Sequence, residues 1–314
     1  MIVLLVLTVG LTLWAYAAHV QTAGHVYEDR TWLARDVSTS RPLTAWSWQH
    51  VNSPQASHAL NVGLHLWVCV LAGLLAWQLG LSALAGAAVG SLLAVHPVTV
   101  EAVAYAASRA ELFAALSVLG ACLLAIRGSW WLVVPVVLLG LASKETAAVA
   151  LLLIPLARWA TRQTWKMPAL TCACALAALI SVTGGWLRLV NLGEAAGMQE
   201  TWLPWLLVQS TAAVRLMGLT LWPFFGGFTV DYDYDAIGHM WRYGALLTLI
   251  GVAGLAWTLR RQRLVAFGLA WMLLAVLPRL LVQTPRSYLN EHQWLLAGIG
   301  LLIAVMVLVD RQTV

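Results

Sequence analysis

The sequence predicts an all-α polytopic integral membrane protein: about ten spanning helices and one interfacial or re-entrant helix, in a single domain over residues 1–314. Three observations predict it. First, 61% of the residues are hydrophobic and only 10% charged, with mean hydropathy +0.81. A water-soluble domain is roughly half apolar and about a quarter charged, so lipid must be the solvent for this much apolar surface. Second, runs such as 1–20, 59–79 and 294–309 have about the length, ~20 residues, that a helix needs to cross a bilayer. Third, the ~10-residue in–out alternation of a transmembrane barrel is missing.

In chain order, apolar segments fall near 2–20, 59–79, 81–95, 111–126, 130–143, 146–157, 167–187, 204–222, 243–258, 264–281 and 294–309. The first mimics a signal peptide, and Ala15-Tyr16-Ala17 even resembles a small-x-small cleavage site. No Lys or Arg precedes it and it is long for such a region, so a retained first helix is expected. The four cysteines, Cys69, Cys122, Cys172 and Cys174, sit inside apolar runs and read as small polarizable packing residues. Many of the 18 Trp lie near predicted helix ends, among them Trp130, Trp131, Trp202, Trp205, Trp222 and Trp241, as interfacial anchors do.

Eleven crossings would put Arg260, Arg261 and Arg263 on the same side as the Asp231–Asp235 loop. Two ten-span arrangements avoid this. Either 204–222 is interfacial or re-entrant, or 130–157 is one helix with Lys144 and Glu145 near mid-bilayer. Segment 204–222 carries Gln209, Ser210, Thr211 and Arg215, which suits an interface. The single-helix alternative would place two charges where each costs about 2.5–3.5 kcal/mol, and would export the basic turn Arg158–Lys166 against the positive-inside rule. The first arrangement is therefore expected. With the amino terminus inside, the inner turns hold Arg127, Arg158, Arg162, Lys166, Arg260, Arg261, Arg263 and Arg311, with Asp310 as their one acid. Nucleic acid is not an expected partner, because these basic residues lie in short turns between apolar segments. The other acids gather at the outer face, where an active site is expected.

The outward stretches carry the candidate chemistry. The extracytoplasmic loop 21–57 holds Glu28-Asp29 and Arg41-Pro42-Leu43. Adjacent carboxylates repel, so one can titrate high enough to serve as a general base; the plainer reading is a solvated loop end. His96, Glu101, Arg109 and Glu111 punctuate an apolar stretch. Arg109 offers a forked donor for phosphate, or a structural salt bridge with Glu101 or Glu111. Lys144 at a predicted outer turn could hold a phosphate or neutralise Glu145. Asp231, Tyr232, Asp233, Tyr234 and Asp235 alternate acid and phenol, suited to sugar hydroxyls or, through oxygen ligands, a divalent cation. Arg286, Asn290, Glu291 and His292 precede the last helix. No P-loop, GxSxG, zinc spacing or Rossmann glycine pattern is present.

Taken in order, these stretches resemble the membrane core of the transmembrane-and-tetratricopeptide-repeat protein O-mannosyltransferases and their bacterial relatives, in the GT-C glycosyltransferase superfamily. The matches are Glu28-Asp29, Arg41-Pro42-Leu43, Asn61 with His65, the run His96–Leu112, Ser143-Lys144-Glu145, Pro223 to Tyr232, and Asn290-Glu291-His292, over about residues 25–305. Glu28 stands where the family has Asp, Thr99 where a second His often follows His-Pro, and the family's later Tyr-Leu-Pro is lost. No tetratricopeptide repeats follow in this sequence, so a partner subunit is the expected substitute.

The resemblance implies a donor sugar linked to polyprenyl phosphate and an acceptor hydroxyl on a protein or glycan. The implied reaction is one inverting displacement at the extracytoplasmic side of what is expected to be a bacterial inner membrane. It assigns Asp29 or Glu28 as base and Arg109, Lys144 and Arg286 to the donor phosphate. His96, Glu101, Glu111, Glu145, Asp231, Tyr232, Asn290, Glu291 and His292 are assigned to substrate. A non-catalytic GT-C-like subunit and a lipid-linked sugar transporter are the rival readings.

Overall fold

The computed structural model describes residues 2–22, 41–51, 53–164, 202–225, 238–281 and 288–310. Among these the chain is all-helical with no strand. The α-helices are α1 (Ile2–Thr22), α2 (Pro42–His50), α3 (Pro54–Leu79), α4 (Ala83–Val95), α5 (Val100–Ala104), α6 (Arg109–Ile126), α7 (Trp130–Ser143), α8 (Ala150–Ala160), α9 (Trp202–Leu221), α10 (His239–Thr258), α11 (Arg263–Leu281) and α12 (Glu291–Val309).

Five stretches are long and apolar enough to cross a membrane: Pro54–Leu79, Ala106–Ile126, Met240–Arg261, Arg263–Leu281 and Glu291–Val309. A sixth results if Ala83–Val95 and Pro97–Ala104, bent by 60° at His96, count as one broken span. This is fewer than the expected ten. Part of the difference is helix length: α7 has 14 residues and α8 has 11, so they run to ~21 and ~17 Å against a hydrocarbon thickness of ~30 Å. The predicted span 167–187 lies outside the described residues.

The single-helix alternative for 130–157 does not occur. Lys144 is extended, at φ −159° and ψ 140°, and the chain doubles back. The guanidinium of Arg158, near the end of α8, lies 4.9 Å from the centre of the Trp130 ring at the start of α7.

Small residues set the closest helix contacts, as bilayer packing favours where burial adds no driving force. A methyl group on Gly73 of α3 would lie 2.7 Å from the Gly86 carbonyl oxygen of α4, and one on Gly268 of α11 would lie 2.6 Å from that of Gly300 in α12. Trp271 fills the second seam and donates from Nε1 to the Leu296 carbonyl at 2.8 Å. In contrast, α10 is the least buried of the five. Only 17% of its most apolar window is buried, against 72% for Ala106–Ile126. Its exposed Trp241 and Trp257 are 16 positions apart, or ~24 Å along a helix, the spacing expected of aromatic anchors at two interfaces.

Charge separates the bundle into two ends. At the basic end, Arg158 donates to the Ala125 carbonyl at 2.8 Å, Gln163 to that of Ile126 at 2.9 Å, and Arg263 to that of Trp159 at 3.2 Å. Here too Asp310 accepts from the Ser82 amide at 2.7 Å, at the start of α4. The opposite end, called the polar end below, collects the carboxylates and their partners.

Candidate functional site

The polar end is assembled where α6 and α12 begin and where α7 and α11 finish. Asn290 opens α12 with a capping box, its side chain and that of Gln293 each bonding the other's backbone N–H. Such reciprocal capping holds the first turn in register, and it places Glu291, His292 and Gln293 on successive sides of the helix.

Two charged groups result. In the first, the Lys144 ammonium pairs with the Glu111 carboxylate; the two side chains are only 7% and 9% exposed. Arg41, just before α2, grips Glu145 with two parallel hydrogen bonds, Nη2 to Oε1 at 2.7 Å and Nε to Oε2 at 3.1 Å. Arg279, in the last turn of α11, lies within electrostatic reach of Glu111, Glu145 and Arg41. Between them is a cavity of about 20 Å³ lined by Glu111, Thr146, Arg279 and Gln293 over an apolar wall of Ala114, Ala115 and Ala275. That volume suits about one water molecule.

The electrostatics follow from burial and pairing. Desolvation pushes the Lys144 ammonium below its ordinary value, and Glu111 opposes this. Burial alone would raise the Glu145 carboxyl, but Arg41 and Lys144 outweigh it and hold the group below the usual carboxylate range.

In the second group, Glu101 of α5 accepts from the His292 amide at 2.9 Å, and its other oxygen lies 2.9 Å from His292 Nδ1. Glu291 faces Arg215 of α9 at 3.6 Å. The first turn of α12 therefore faces both groups, one through Gln293 and the other through Glu291 and His292.

Two of the expected site residues are committed elsewhere. Arg109 is fully buried. Its Nη1 donates to the Ser47 and Val51 carbonyls at 3.2 and 3.3 Å, and its guanidinium lies 4.1 Å from the centre of the Trp48 ring. It thus fastens the carboxyl-terminal end of α2, where unpaired carbonyls and the helix dipole attract a cation, and it takes the salt bridge to neither Glu101 nor Glu111. His96 accepts from the Val98 amide at Nδ1 and lies 3.1 Å from the Thr220 carbonyl through Nε2. Nδ1 therefore serves the break between α4 and α5, and Nε2 ties that break to the end of α9. Asn61 braces the next break, donating from Nδ2 to the carbonyls of Val103 at 3.3 Å and Tyr105 at 3.1 Å.

Of the expected site residues, the structure brings Glu111, Lys144 and Glu145 together, and separately Glu101, Glu291 and His292. Glu28, Asp29, Asp231, Tyr232 and Arg286 lie outside the described residues. Among the described residues no group of three His, Cys, Asp or Glu side chains is arranged to hold a metal. Sequence reasoning passed over Arg41 and Arg279 as site residues. Arg279 had a signal: a charge after Pro278 in an otherwise apolar run, which is a functional candidate by default.

Compared with protein-family models, curated proteins and solved structures, the chain matches none at a significant level.

Proposed function

We propose that this chain is a GT-C-type membrane glycosyltransferase that moves a sugar from a polyprenyl-phosphate donor to an acceptor hydroxyl at the polar end. One observation carries the reading. The buried Lys144 and the half-buried Arg279 stand beside the point where Arg41 ties its end of the loop bearing Glu28 and Asp29 onto Glu145. The other end of that loop leaves α1 at Thr22, three residues after His19, whose Nε2 lies 3.1 Å from the Ala104 carbonyl. Both anchors are at the polar end, so the paired acids are carried by a segment that begins and ends at the end of the bundle where the cations stand.

The chemistry needs those two components. A polyprenyl phosphate leaves readily when its growing negative charge is met by fixed cations in a site of low dielectric. Lys144, Arg279 and Arg286 are the groups proposed for that task, and Arg109 is proposed as a positioning residue for α2. The acceptor oxygen loses its proton to Asp29 or Glu28 as the glycosidic bond to phosphate breaks and the new one forms, with inversion. The 20 Å³ cavity is the inner wall of this site; a sugar would lie above it.

Topology supports the same reading. Helices α3, α6, α10, α11 and α12 carry the stretches long and apolar enough to cross, and α1, α4, α7 and α8 are proposed to complete the passes between the two ends. Helix α9 makes none, because both its halves touch the polar end. Gln209 accepts from the Leu289 amide at 2.9 Å, while Thr220 meets Trp294 at 2.8 Å and His96 at 3.1 Å. An interfacial α9 fits this geometry. The positive-inside rule puts the basic end in the cytoplasm and the polar end outside, periplasmic in a bacterial inner membrane.

The deciding measurement is release of polyprenyl phosphate from labelled polyprenyl-phosphate sugars by the purified chain with candidate acceptors. Release that disappears in the Glu28→Gln, Asp29→Asn double variant, with unchanged thermal stability, is the expected result. Undiminished release by that variant overturns the base assignment. A wild-type chain that binds donor and never cleaves it favours the non-catalytic subunit.

A further inference from the structure

Among the described residues, the basic end holds a cavity larger than the one between Glu111 and Arg279, and the proposed transfer makes no use of it. About 610 Å³ opens among the ends of α3, α8, α11 and α12, lined by Arg162, Arg261, Gln262 and Arg263 above Leu79, Leu264, Val265, Val307 and Leu308. Arginines form the rim and aliphatic side chains the floor. Asp310, the carboxylate at this end among the described residues, is buried and turned to the Ser82 amide. The first residues of α11 also line the cavity, so the positive end of a 19-residue helix adds to the field.

Arg162 supplies an independent observation. The end of α8 closes in a Schellman motif: the Gln163 amide bonds the Arg158 carbonyl at 2.9 Å and the Arg162 amide that of Trp159 at 3.1 Å. The motif requires a left-handed residue, usually Gly, and Arg162 occupies it at φ 58°. An arginine is strained there, and strain retained at one position points to a use for the side chain. Its side chain lines the cavity.

We infer that this cavity is a binding site for the headgroup of an anionic phospholipid in the leaflet at the basic end. The phosphate would sit among Arg162, Arg261 and Arg263, with an acyl chain descending past Leu264 and the exposed Leu308. A guanidinium fork matches phosphate oxygens, and basic pockets between transmembrane helices suit such headgroups. The mixture of charged rim and greasy floor fits an amphiphile better than a free anion. The inference stands whether or not the polar end is catalytic.

The test uses the full chain in neutral detergent, with native mass spectrometry and thermal melting as readouts. Dioleoyl phosphatidylglycerol is compared with dioleoyl phosphatidylcholine, sn-glycerol 3-phosphate and inorganic phosphate. The wild type should retain phosphatidylglycerol in preference to phosphatidylcholine, and phosphatidylglycerol should raise its melting temperature. Each lost arginine should weaken retention about fivefold, and an Arg162→Gly, Arg261→Gln, Arg263→Gln variant on the order of a hundredfold. Arg162→Gly alone should weaken retention while leaving the lipid-free melting temperature unchanged or higher, since glycine relieves the cap; this single variant decides the matter if the triple one fails to fold. Equal retention of both lipids by the wild type, or undiminished retention of phosphatidylglycerol by Arg162→Gly, overturns the site. Stabilisation by either soluble phosphate as large as that by phosphatidylglycerol overturns the lipid assignment.

Discussion

Arg41 and Glu145 stand 104 positions apart, yet their side chains meet through two parallel hydrogen bonds at the polar end. The pair anchors the start of α2 to the turn after α7, and Thr44 repeats the tie by donating to the Ser143 carbonyl at 2.9 Å. Since both side chains remain partly exposed, their contribution is geometric more than energetic.

The first expected outcome is a pH dependence of that tie. The Glu145 carboxyl lies below its ordinary value, so its contribution is complete above the unfolded-state value of ~4.3. It is lost as pH falls through the lower folded-state value. Wild type should therefore melt above Glu145→Gln at neutral pH, and the two curves should converge only under acid conditions below the usual carboxylate range. A constant difference at every pH removes this account.

The buried pair Lys144–Glu111 should behave differently. Lys144→Met removes the paired cation from a carboxylate in a site of low dielectric, and loss of one partner from such a pair costs about 3–5 kcal/mol. The Lys144→Met, Glu111→Leu double variant should regain most of that stability while losing polyprenyl phosphate release. Denaturant melts in a fixed detergent read the first effect, and the release assay reads the second.

Arg279→Gln removes a charge without emptying the cavity. The proposed role predicts a 10²–10³-fold fall in turnover, the range seen when one donor to developing negative charge is removed. Arg279→Lys should recover part of it. Equal loss in both variants, together with a lower melting temperature, would indicate a structural role.

Close glycine contacts make a packing prediction. Gly268→Val places atoms where the Gly300 backbone already lies and should destabilise the α11–α12 pair by about 1–3 kcal/mol or more. Gly251→Val on exposed α10, where nothing lies within 4 Å, should shift the melt far less.

Topology can be read by thiol labelling in sealed vesicles. Cysteines introduced at Ser53, Trp202 and Trp222 should all label from one side, and one at Gln262 from the other. Labelling of Trp202→Cys and Trp222→Cys from opposite sides would make α9 a span.

Much of this protein is legible in its residues alone. The membrane class followed from composition, because no soluble core could bury so much apolar surface. The segregation of basic turns from the acid-bearing stretches followed from charge placed along the chain. The candidate chemistry at 96–111 and 143–145 was visible because polar groups in apolar runs are costly and therefore conspicuous. Pairing was not legible. Local spacing offered Arg109 either a phosphate or a salt bridge with Glu101 or Glu111, and Lys144 either a phosphate or its neighbour Glu145. Instead, Arg109 turns to the end of α2, Lys144 to Glu111 and Glu145 to Arg41. Those choices depend on which helix ends lie side by side, and that is decided by long-range packing at the glycine seams and by the reversal at Lys144. Hydropathy along the chain determines that segments enter the membrane. Only the tertiary contacts determine which charges then face one another, because a buried ion finds its lowest energy against whichever opposite charge the assembled helices bring within reach.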